Sequence, residues 1–197
     1  MNDNHCISDS GQRSCSRFGF VRNLALLAFA LLVARPDVLA LPTPSTGAIA
    51  AGEDFSLALK SNGTVWAWGK NYFGQLGIGW MGYDPQPTPV QVSGLTGMAA
   101  VAAGRYHCLA VRGNDGTVWS WGGNGNGQLG DGSITNHSTA APIAGLAGVS
   151  AVSAGNGHSL ALSNGIVCAW GLNGNGQLGD GSTTERHVPV PGTTLTG

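Results

Sequence analysis

A unit of about fifty residues occurs three times along most of this chain, and this repetition limits the folds that the chain can adopt. The segment NGNGQLGDGS occupies residues 124–133 and returns letter for letter at 173–182, while a degraded copy, NYFGQLGIG, occupies 71–79. The GQLG motif therefore begins at positions 74, 127 and 176, with spacings of 53 and 49 residues. A period of this length is typical of propellers and solenoids, whose repeats stack on one another.

The same stretch contains a glycine pattern that is found in dinucleotide-binding turns. Gly125, Gly127 and Gly130 fit G-x-G-x-x-G. In a dinucleotide site the last glycine opens a helix, and an acidic residue about 20 positions later binds the ribose. Here Gly130 leads into the loop-forming sequence DGSITNHSTAAP, and no Asp or Glu occurs between Gly132 and Gly179. The glycines therefore belong to the repeat, and no cofactor is predicted.

Four short segments in each repeat favour extended structure. In the second copy they are residues 99–103, 107–112, 117–121 and 141–144, which are rich in Val, Ala, Leu or Trp and bounded by turn-forming residues. A tight-turn sequence, GNDG or SNG, separates the second segment from the third. We therefore predict an all-β chain with three blades, each an antiparallel sheet of up to four strands, as part of a β-propeller. The tryptophans predicted to pack between blades are Trp66, Trp68, Trp119, Trp121 and Trp170.

Two motifs of the repeat resemble those of a known family. They are A-G-x-x-H-S-L-A-L and G-x-V-x-x-W-G-x-N-x-x-G-Q-L-G, and the pair occurs three times after residue 48. In these motifs the chain is similar to the regulator of chromosome condensation family, and the resemblance implies a β-propeller, which in that family usually closes seven repeats into a ring. Two positions depart from the motif, because Phe55 stands where the other copies have His107 and His158, and Cys168 replaces a tryptophan.

The chain is expected to divide into a leader, residues 1–40, and a propeller region, residues 41–197. The repeats of that region lie at about 48–97, 98–148 and 149–197. Three repeats are fewer than the resemblance implies, so we expect a fragment of a seven-bladed ring; the alternative is that several chains complete one ring. The open flanks of the outer blades predict self-association.

The leader has the features of a secretory signal helix. Three arginines precede an apolar run at residues 24–34, and small or apolar residues before Leu41 suit cleavage after Ala40. The run is shorter than the ~20 residues that span a bilayer, so no stable membrane span is expected after cleavage. An uncleaved signal anchor is the alternative. We therefore expect a secreted, periplasmic or cell-surface protein.

Charge and cysteine content narrow the classes of partner. Beyond residue 40, five basic and seven acidic residues give a net charge of −2, and no basic stripe is present. Nucleic-acid binding requires such a stripe, so no nucleic-acid partner is predicted. Cys108 and Cys168 fall in predicted strands, where a buried thiol behaves as a small apolar group. Whether these two cysteines form a disulfide is left open by the sequence.

The motifs of common enzyme classes are missing from the sequence. No C-x-x-C, H-E-x-x-H or G-x-S-x-G occurs. His158 and Ser159 are neighbours in a predicted strand and point to opposite faces, so they cannot act together as base and nucleophile. With His107, His158 is predicted to be a structural, hydrogen-bonding histidine. The GDGS segments at 130–133 and 179–182 each offer one carboxylate, whereas calcium takes six to eight oxygens, so we predict turns. No catalytic, cofactor-binding or metal-binding residue is assigned.

One loop differs from its counterparts in the other repeats. Residues 78–89, IGWMGYDPQPTP, are aromatic and apolar where the other copies carry Ser, Thr, Asn and His. Aromatic residues are enriched at protein-binding hot spots. The candidate partner-binding residues are Tyr72, Phe73, Trp80, Met81 and Tyr83. The alternative is that these side chains cap the open flank of the first blade.

Three functional hypotheses follow. The first is a secreted, non-catalytic repeat module that binds a protein or surface partner through its propeller loops. Members of the family that bacteria export include a β-lactamase inhibitor protein, so the resemblance implies that protein contact alone can be a function. The alternatives are a guanine-nucleotide exchange factor for a small GTPase, as for the founding member of the family, and a structural repeat segment of a larger surface protein.

Overall fold

The structure, a computed structural model, describes residues 47–192, and this range contains strands and no helix. The strands are β1 (Ala48–Ala51), β2 (Phe55–Leu59), β3 (Val65–Asn71), β4 (Gly82–Gln91), β5 (Met98–Ala103), β6 (His107–Arg112), β7 (Val118–Gly122), β8 (His137–Pro142), β9 (Val149–Ala154), β10 (His158–Ser163), β11 (Ile166–Gly171) and β12 (Arg186–Pro191). The predicted leader helix and its cleavage position lie outside the described residues. In the described part of the chain, no helix has the length and apolar character of a transmembrane span.

The twelve strands form three four-stranded sheets, one for each copy of the repeat. Within each sheet the strands follow chain order, β1 to β4, β5 to β8 and β9 to β12, and all neighbours are antiparallel. The first strands of successive sheets contact one another, β1 with β5 and β5 with β9. The prediction of an all-β fold with three antiparallel propeller blades is confirmed, and we number the blades 1 to 3 along the chain.

Tight turns join the second and third strands of each blade, as the sequence predicted. In blade 3, Asn164 and Gly165 have φ angles of 50° and 81°, the left-handed conformation of a two-residue hairpin. In blade 2, Asp115 Oδ1 accepts a hydrogen bond from the Thr117 N–H at 2.9 Å. These turns place the second and third strands in register across the whole blade.

The fourth strand of blade 2 lies earlier than predicted. The prediction was residues 141–144, whereas β8 occupies His137–Pro142. β8 is an edge strand that pairs only with β7 in the described range. Its sequence, HSTAAP, is partly polar and half-exposed, and it therefore lacks the apolar pattern by which an inner strand is recognised. Ile143, whose apolar side chain suggested a strand, is buried in the connection to blade 3.

The outer edge of blade 1 is poor in hydrogen-bond donors. The N–H of Val92, directly after β4, donates to the Val65 carbonyl at 2.9 Å, so alternate positions before it turn their N–H away from the sheet. Pro89 is one of these outward positions, and Pro85 and Pro87 follow after a register shift between β3 and β4; none of the three has an N–H. The edge therefore resists the addition of another strand.

The apolar core lies between blades. One buried cluster joins the inner residues of blade 1, such as Leu57, Val65 and Leu76, to Ala110 and Trp121 of blade 2. A second cluster joins blades 2 and 3 in the same way. The predicted packing of tryptophans between blades is confirmed for Trp121 and Trp170, which are fully buried. Because one sheet cannot bury both of its faces alone, each blade depends on its neighbours.

The contact between blades 1 and 2, which we call the first joint, is centred on one main-chain carbonyl. The carbonyl of Gln75 accepts a hydrogen bond from Trp121 Nε1–H at 2.9 Å and another from Cys108 Sγ–H at 3.2 Å. Phe55 belongs to the buried cluster at the same joint. The GQLG motif and the second tryptophan of each repeat therefore recur because they meet across successive blades.

The contact between blades 2 and 3, the second joint, uses the same scheme with a polar pair added. The carbonyl of Gln128 accepts from Trp170 Nε1–H and from Ser159 Oγ–H, each at 2.8 Å. Ser159 thereby uses its one proton, so it accepts from His107 Nε2, 2.9 Å away. His107 is then neutral with its proton on Nε2, and its Nδ1 has no hydrogen-bond partner among residues 47–192. His107 is thus buried and hydrogen-bonded, as is expected of a structural histidine.

The two cysteines of the described range are both free thiols. Cys108 is completely buried, and burial raises the pKa of its thiol well above the ordinary value. Cys168 is half-buried, and burial raises the pKa of its thiol as well. The two residues are not joined by a disulfide, and Cys108 acts as an apolar residue that also donates one weak hydrogen bond.

Candidate functional site

The loops at one end of the blades carry the residues that differ most between repeats. In an antiparallel sheet, the turn between the first and second strands and the loop between the third and fourth leave at the same end. We call this end the loop face. In blade 1 it comprises residues 52–54 and 72–81, and in blade 2 it comprises residues 104–106 and 123–136.

A buried asparagine organises each long loop. Asn71, Asn124 and Asn173 each accept, through Oδ1, the N–H of the leucine in the GQLG motif at 2.9 to 3.1 Å. Their Nδ2 groups donate across the loop, to the Trp80 carbonyl in blade 1 and to the Ser133 carbonyl in blade 2. The side chain thus replaces the strand pairing that the loop backbone lacks.

The long loops of blades 1 and 2 each rest on the fourth strand of the next blade. The Gly79 N–H donates to the Ser138 carbonyl on β8, and the Gly132 N–H donates to the His187 carbonyl on β12, both at 2.9 Å. Gly127 lies against the same strand with a φ of +73°, and a Cβ there would overlap the His187 ring. The loops therefore take their positions from the following blade as well as their own.

The two GDGS segments form turns, as predicted. Asp131 Oδ1 accepts the Ser133 N–H at 2.8 Å, and Asp180 Oδ1 accepts the Ser182 N–H at 2.9 Å. Asp180 Oδ2 also accepts Arg186 Nε–H at 2.7 Å, and this bond and the Ser182 hydroxyl hold the pKa of Asp180 well below its usual range. Within residues 47–192, no group of three or more His, Cys, Asp or Glu side chains is placed to hold a metal ion.

The corresponding loop of blade 1 has no carboxylate and exposes apolar side chains. Its sequence GIGW replaces GDGS. Tyr83 is 74% exposed, Tyr72 is 43% exposed, and Trp80 and Met81 are each 42% exposed. Phe73 is half-buried. All five candidate residues thus lie at or near the surface of the loop face or at the start of β4.

Three of these candidates meet a fourth ring that comes from blade 2. Tyr72 contacts Tyr83 edge-on, with ring centroids 3.9 Å apart, and lies 5.7 Å from Phe73. Phe73 in turn lies 4.7 Å from Tyr106, in the turn between β5 and β6. We call Tyr72, Phe73, Tyr83 and Tyr106 the aromatic surface. It is continuous across the first joint.

Ion pairs border the aromatic surface. Arg105 Nε lies 2.5 Å from Glu53 Oε2, and the Arg105 guanidinium stands 4.8 Å from the centre of the Tyr106 ring. Hydrogen bonds from Arg105 and then from Tyr106 lower the pKa of Glu53 to about 2. Lys70 and Asp54 form a second pair at 2.7 Å. Each of these charges beside the rings is therefore paired with a charge of opposite sign. The rings themselves are the dominant feature of the surface.

Trp80 and Met81 stand apart from the aromatic surface. The Trp80 ring folds over Gly82, where a Cβ would come within 2.8 Å of it. Neither residue makes a ring contact with the aromatic surface in the described range. The sequence predictions missed Tyr106 and Arg105, which come from the next repeat. Comparing the first turns of the three copies, EDF, RYH and NGH, would have singled them out.

The arrangement offers contact area and no accessible reactive pair. His107 and Ser159 do form a hydrogen-bonded pair, but both are fully buried and the Ser159 proton is directed at a main-chain carbonyl. Ser159 pairs with His107 across the joint and not with its neighbour His158, in agreement with the sequence prediction. The loop face is therefore suited to binding.

A protein-family model matches most of the described range. The model, described as Regulator of chromosome condensation (RCC1) repeat, matches residues 62–111, 115–162 and 164–197. A second model with the same description matches residues 48–75 and 98–128. The matches follow the repeat that the sequence displays and the blades that the structure contains.

Curated relatives match part of the chain. The human E3 ubiquitin-protein ligase HERC2 is 40% identical over 119 residues, which cover 58% of this chain and 2% of HERC2. The Ultraviolet-B receptor UVR8 of Arabidopsis thaliana is 37% identical over 119 residues, which cover 58% of this chain and 27% of UVR8. The matching region therefore spans less than a third of either relative.

Solved structures share the fold. The crystal structure of human WBSCR16 is 27% identical, with a TM-score of 0.64 over 73% of this chain and 37% of WBSCR16. Prp20p of Saccharomyces cerevisiae, whose structure was determined together with its binding to Gsp1p and histones, is 24% identical, with a TM-score of 0.67. That likeness covers 75% of this chain and 38% of Prp20p, and it shows the fold alone.

Proposed function

Because this chain belongs to the regulator of chromosome condensation (RCC1) repeat family, we propose that it is a non-catalytic propeller module that binds another protein through its loop face. The observation that carries this proposal is the aromatic surface, in which four rings from two blades lie side by side. Large aromatic side chains are enriched at protein-binding hot spots, where they bury much area at a low entropic cost.

The exposure of the rings supports binding over the alternative of capping. A cap for the open flank of blade 1 would bury its aromatic side chains, whereas Tyr83 is 74% exposed and Tyr72 is 43% exposed. Tyr72 is also held between two other rings, because it contacts both Tyr83 and Phe73. Rings that are fixed before binding lose little freedom on contact.

The charges around the surface support a protein partner. Arg105 is paired with Glu53 and Lys70 with Asp54, so no unpaired basic cluster surrounds the rings. An apolar centre with a polar rim is the usual composition of a protein–protein interface. We infer a partner with an apolar patch of its own.

We further propose that the module is exported, and that it works as a secreted, periplasmic or cell-surface protein. The basis is the leader, residues 1–40, with its arginines and its apolar run. Mass spectrometry of the exported protein is expected to find an N-terminus near Leu41. Intact Met1 in the soluble exported fraction would contradict cleavage.

A stability measurement separates binding from capping without knowledge of the partner. We expect the double variant Trp80→Ala/Tyr83→Ala to keep the melting midpoint of the wild-type chain, because both rings are exposed. If the rings cap the blade, their loss should cost on the order of 3 kcal/mol per ring. Ile166→Ala, at a position 53% exposed on the opposite end of blade 3, serves as the matched control.

Site-specific photo-crosslinking tests the binding surface itself. A crosslinking residue at position 83 is expected to capture a partner in cells that make the chain, whereas one at position 166 on the opposite end is not. Capture at position 83 should fall about thirtyfold in efficiency when Tyr72 is changed to Ala, the usual loss at a hot spot. Equal products from both positions would sink the proposal. A small GTPase among the products would favour exchange-factor activity instead, and no product at all would favour a structural segment.

A further inference from the structure

The first turns of the three blades surround a depression on the loop face, which we call the axial depression. It has a volume of about 570 Å³ and is lined by residues 51–53, 103–105 and 154–156, one segment from each blade. The first strands, which end in these segments, contact one another from blade to blade. Because the blades of a propeller surround a central channel, more blades would lengthen this row of turns without covering it.

The main-chain groups of Ala103 point away from the sheet of blade 2. The Gly104 N–H donates to the His107 carbonyl at 2.8 Å, so these two residues form a hydrogen-bonded pair between β5 and β6. Hydrogen-bonded and non-hydrogen-bonded pairs alternate along antiparallel strands. The N–H and the C=O of Ala103, in the next pair along the strands, are therefore turned away from β6.

Blades 1 and 3 repeat this arrangement. Hydrogen bonds from the Gly52 and Gly155 N–H groups, both at 2.9 Å, close the first turns in the same way. The N–H and C=O of Ala51 and Ala154 are therefore also turned away from their sheets. All three alanines line the axial depression, and these groups have no hydrogen-bond partner within residues 47–192.

The polar side chains of the axial depression add no net charge. Glu53 and Arg105 form an ion pair with each other. Asn156 is exposed, and its amide is not hydrogen-bonded to any other part of the described chain. A neutral ligand that both donates and accepts hydrogen bonds fits these groups best. The main chain of a peptide has this chemistry, since each residue other than proline carries one N–H and one C=O.

The axial depression is suited to a segment of a larger body. Sites for free small molecules bury most of the ligand surface, whereas here every lining turn includes an exposed residue. The aromatic surface lies directly beside it, because Arg105 lines the depression and stands 4.8 Å from the centre of the Tyr106 ring. A partner held by the rings therefore lies next to the depression.

We propose that the axial depression binds the main chain of a short peptide segment of the protein partner, while the aromatic surface holds the partner's apolar patch. This inference rests on the function proposed above and adds the kind of segment that the partner supplies. The three alanines belong to three different strands, so the segment is a turn or a loop and not a strand added to one sheet.

The capped peptide acetyl-Gly-Gly-Gly-amide tests the axial depression without the partner, because it offers a neutral main chain and no side chains. In an NMR titration of the full chain, the amide signals of Ala51, Ala103 and Ala154 are expected to shift along one saturable curve at millimolar peptide. Glucose, a neutral molecule that carries hydroxyl groups, is expected to leave them unchanged. The absence of a saturable shift, or an equal response to glucose, would overturn the proposal.

Two proline variants of β1 give a matched comparison. Ala51→Pro removes an N–H that lines the depression and that the sheet does not use, so it should weaken peptide binding about tenfold. Ile49→Pro removes the N–H that points to the same side two residues earlier, outside the depression, and should bind like the wild-type chain. Equal affinities of the two variants would contradict the site. Circular dichroism checks their folding; if Ala51→Pro is unfolded, Asn156→Ala replaces it, with an expected loss of about threefold.

Crosslinking in cells distinguishes the axial depression from the aromatic surface. A photo-crosslinking residue at position 156 is expected to capture the same protein as one at position 83, through a different segment that peptide mapping identifies. Capture from position 83 without capture from position 156 would overturn the axial site and leave the proposed function intact. Saturable peptide binding without capture from position 83 would overturn the role of the rings and support the axial site.

Discussion

The first and second joints share one hydrogen-bonding scheme and differ in the pair of residues beside it. At the first joint the pair is Phe55 and Cys108; at the second it is His107 and Ser159. Both members change together. A donating imidazole faces a hydroxyl that can accept, while the phenyl ring shares its buried cluster with a thiol, which needs no strong hydrogen-bond partner. The pair can therefore be polar or apolar, provided that the residues from the two blades are both of the same kind.

The common part of the joints sets their geometry. In each, a tryptophan indole N–H donates to a glutamine main-chain carbonyl, at 2.9 Å in the first joint and 2.8 Å in the second. The variable pair sets the polarity of the joint and hence its response to pH. The four predictions below test this division between a common part and a variable part.

The largest effect is expected from removing the common tryptophan. Trp121→Ala and Trp170→Ala each should lower the free energy of unfolding by about 3 to 5 kcal/mol, because each side chain is fully buried. Trp68→Ala should cost much less, since Trp68 is half-buried and belongs to neither buried cluster of the described residues. Denaturant unfolding at concentrations below association measures all three. Equal losses at the three positions would show that the joints do not carry the stability.

The next effect is a loss of stability in acid that the variable pair of the second joint produces and that of the first joint does not. Burial lowers the pKa of His107 from 6.5 to about 4, with a further contribution from His158. As the pH falls below 6.5, His107 is protonated in the unfolded chain but stays neutral in the folded chain. The folded state therefore loses stability down to about pH 4. The shift corresponds to about 3 kcal/mol.

The matched control for the pH dependence gives the second joint the residue pair of the first joint. His107→Phe/Ser159→Cys removes the titrating group, and its unfolding free energy should change less between pH 6.5 and 4 than that of the wild-type chain. His158, whose pKa is lowered by burial, titrates in both chains and cancels in the difference. Parallel pH profiles for the two chains would refute the assignment to His107.

A smaller effect distinguishes the long loop of blade 2 from that of blade 3. Gly127 and Gly176 are the same glycine of the repeat, with φ angles of +73° and +72°. A Cβ at Gly127 would come within 2.8 Å of the His187 Cα, whereas a Cβ at Gly176 meets no atom closer than 3.9 Å. Gly176→Ala should cost about 1 to 2 kcal/mol for the left-handed backbone alone, and Gly127→Ala measurably more. Thermal melts that rank the two variants the other way would contradict the loop packing.

The blades were predictable because their periodicity is local. β6 is a short, mostly apolar run and β7 alternates large apolar residues with smaller ones, and both are bounded by turn-forming residues, so each can be found without knowledge of its neighbours. The polar outer strand β8 was misplaced by four residues at its start because its sequence reflects exposure on an edge. Local pattern is a weak guide where a strand is paired on one side.

Contacts between two repeats could not be predicted, even where the residues that make them differ visibly from their counterparts in the other copies. The aromatic loop was found from its composition, but Tyr106 joins it only because the first joint brings the two loops together. In the same way, the sequence shows that Phe55 corresponds to His107 and that Cys108 corresponds to Ser159. It does not show that these two differences belong together. That link exists in the spatial relation of one blade to the next, since Ser159 lies 52 residues from its partner His107.

The central claim, that the pair beside each tryptophan works as a unit, is tested most directly by a double-mutant cycle at the first joint. The cycle comprises the wild-type chain, Phe55→His, Cys108→Ser and the double variant. We expect Phe55→His alone to destabilise by about 2 kcal/mol, because it buries an imidazole without a good acceptor. Adding Cys108→Ser should restore at least about 1 kcal/mol, a coupling typical of contacting residues. Additive effects of the two substitutions, with no such recovery in denaturant unfolding, would contradict the account.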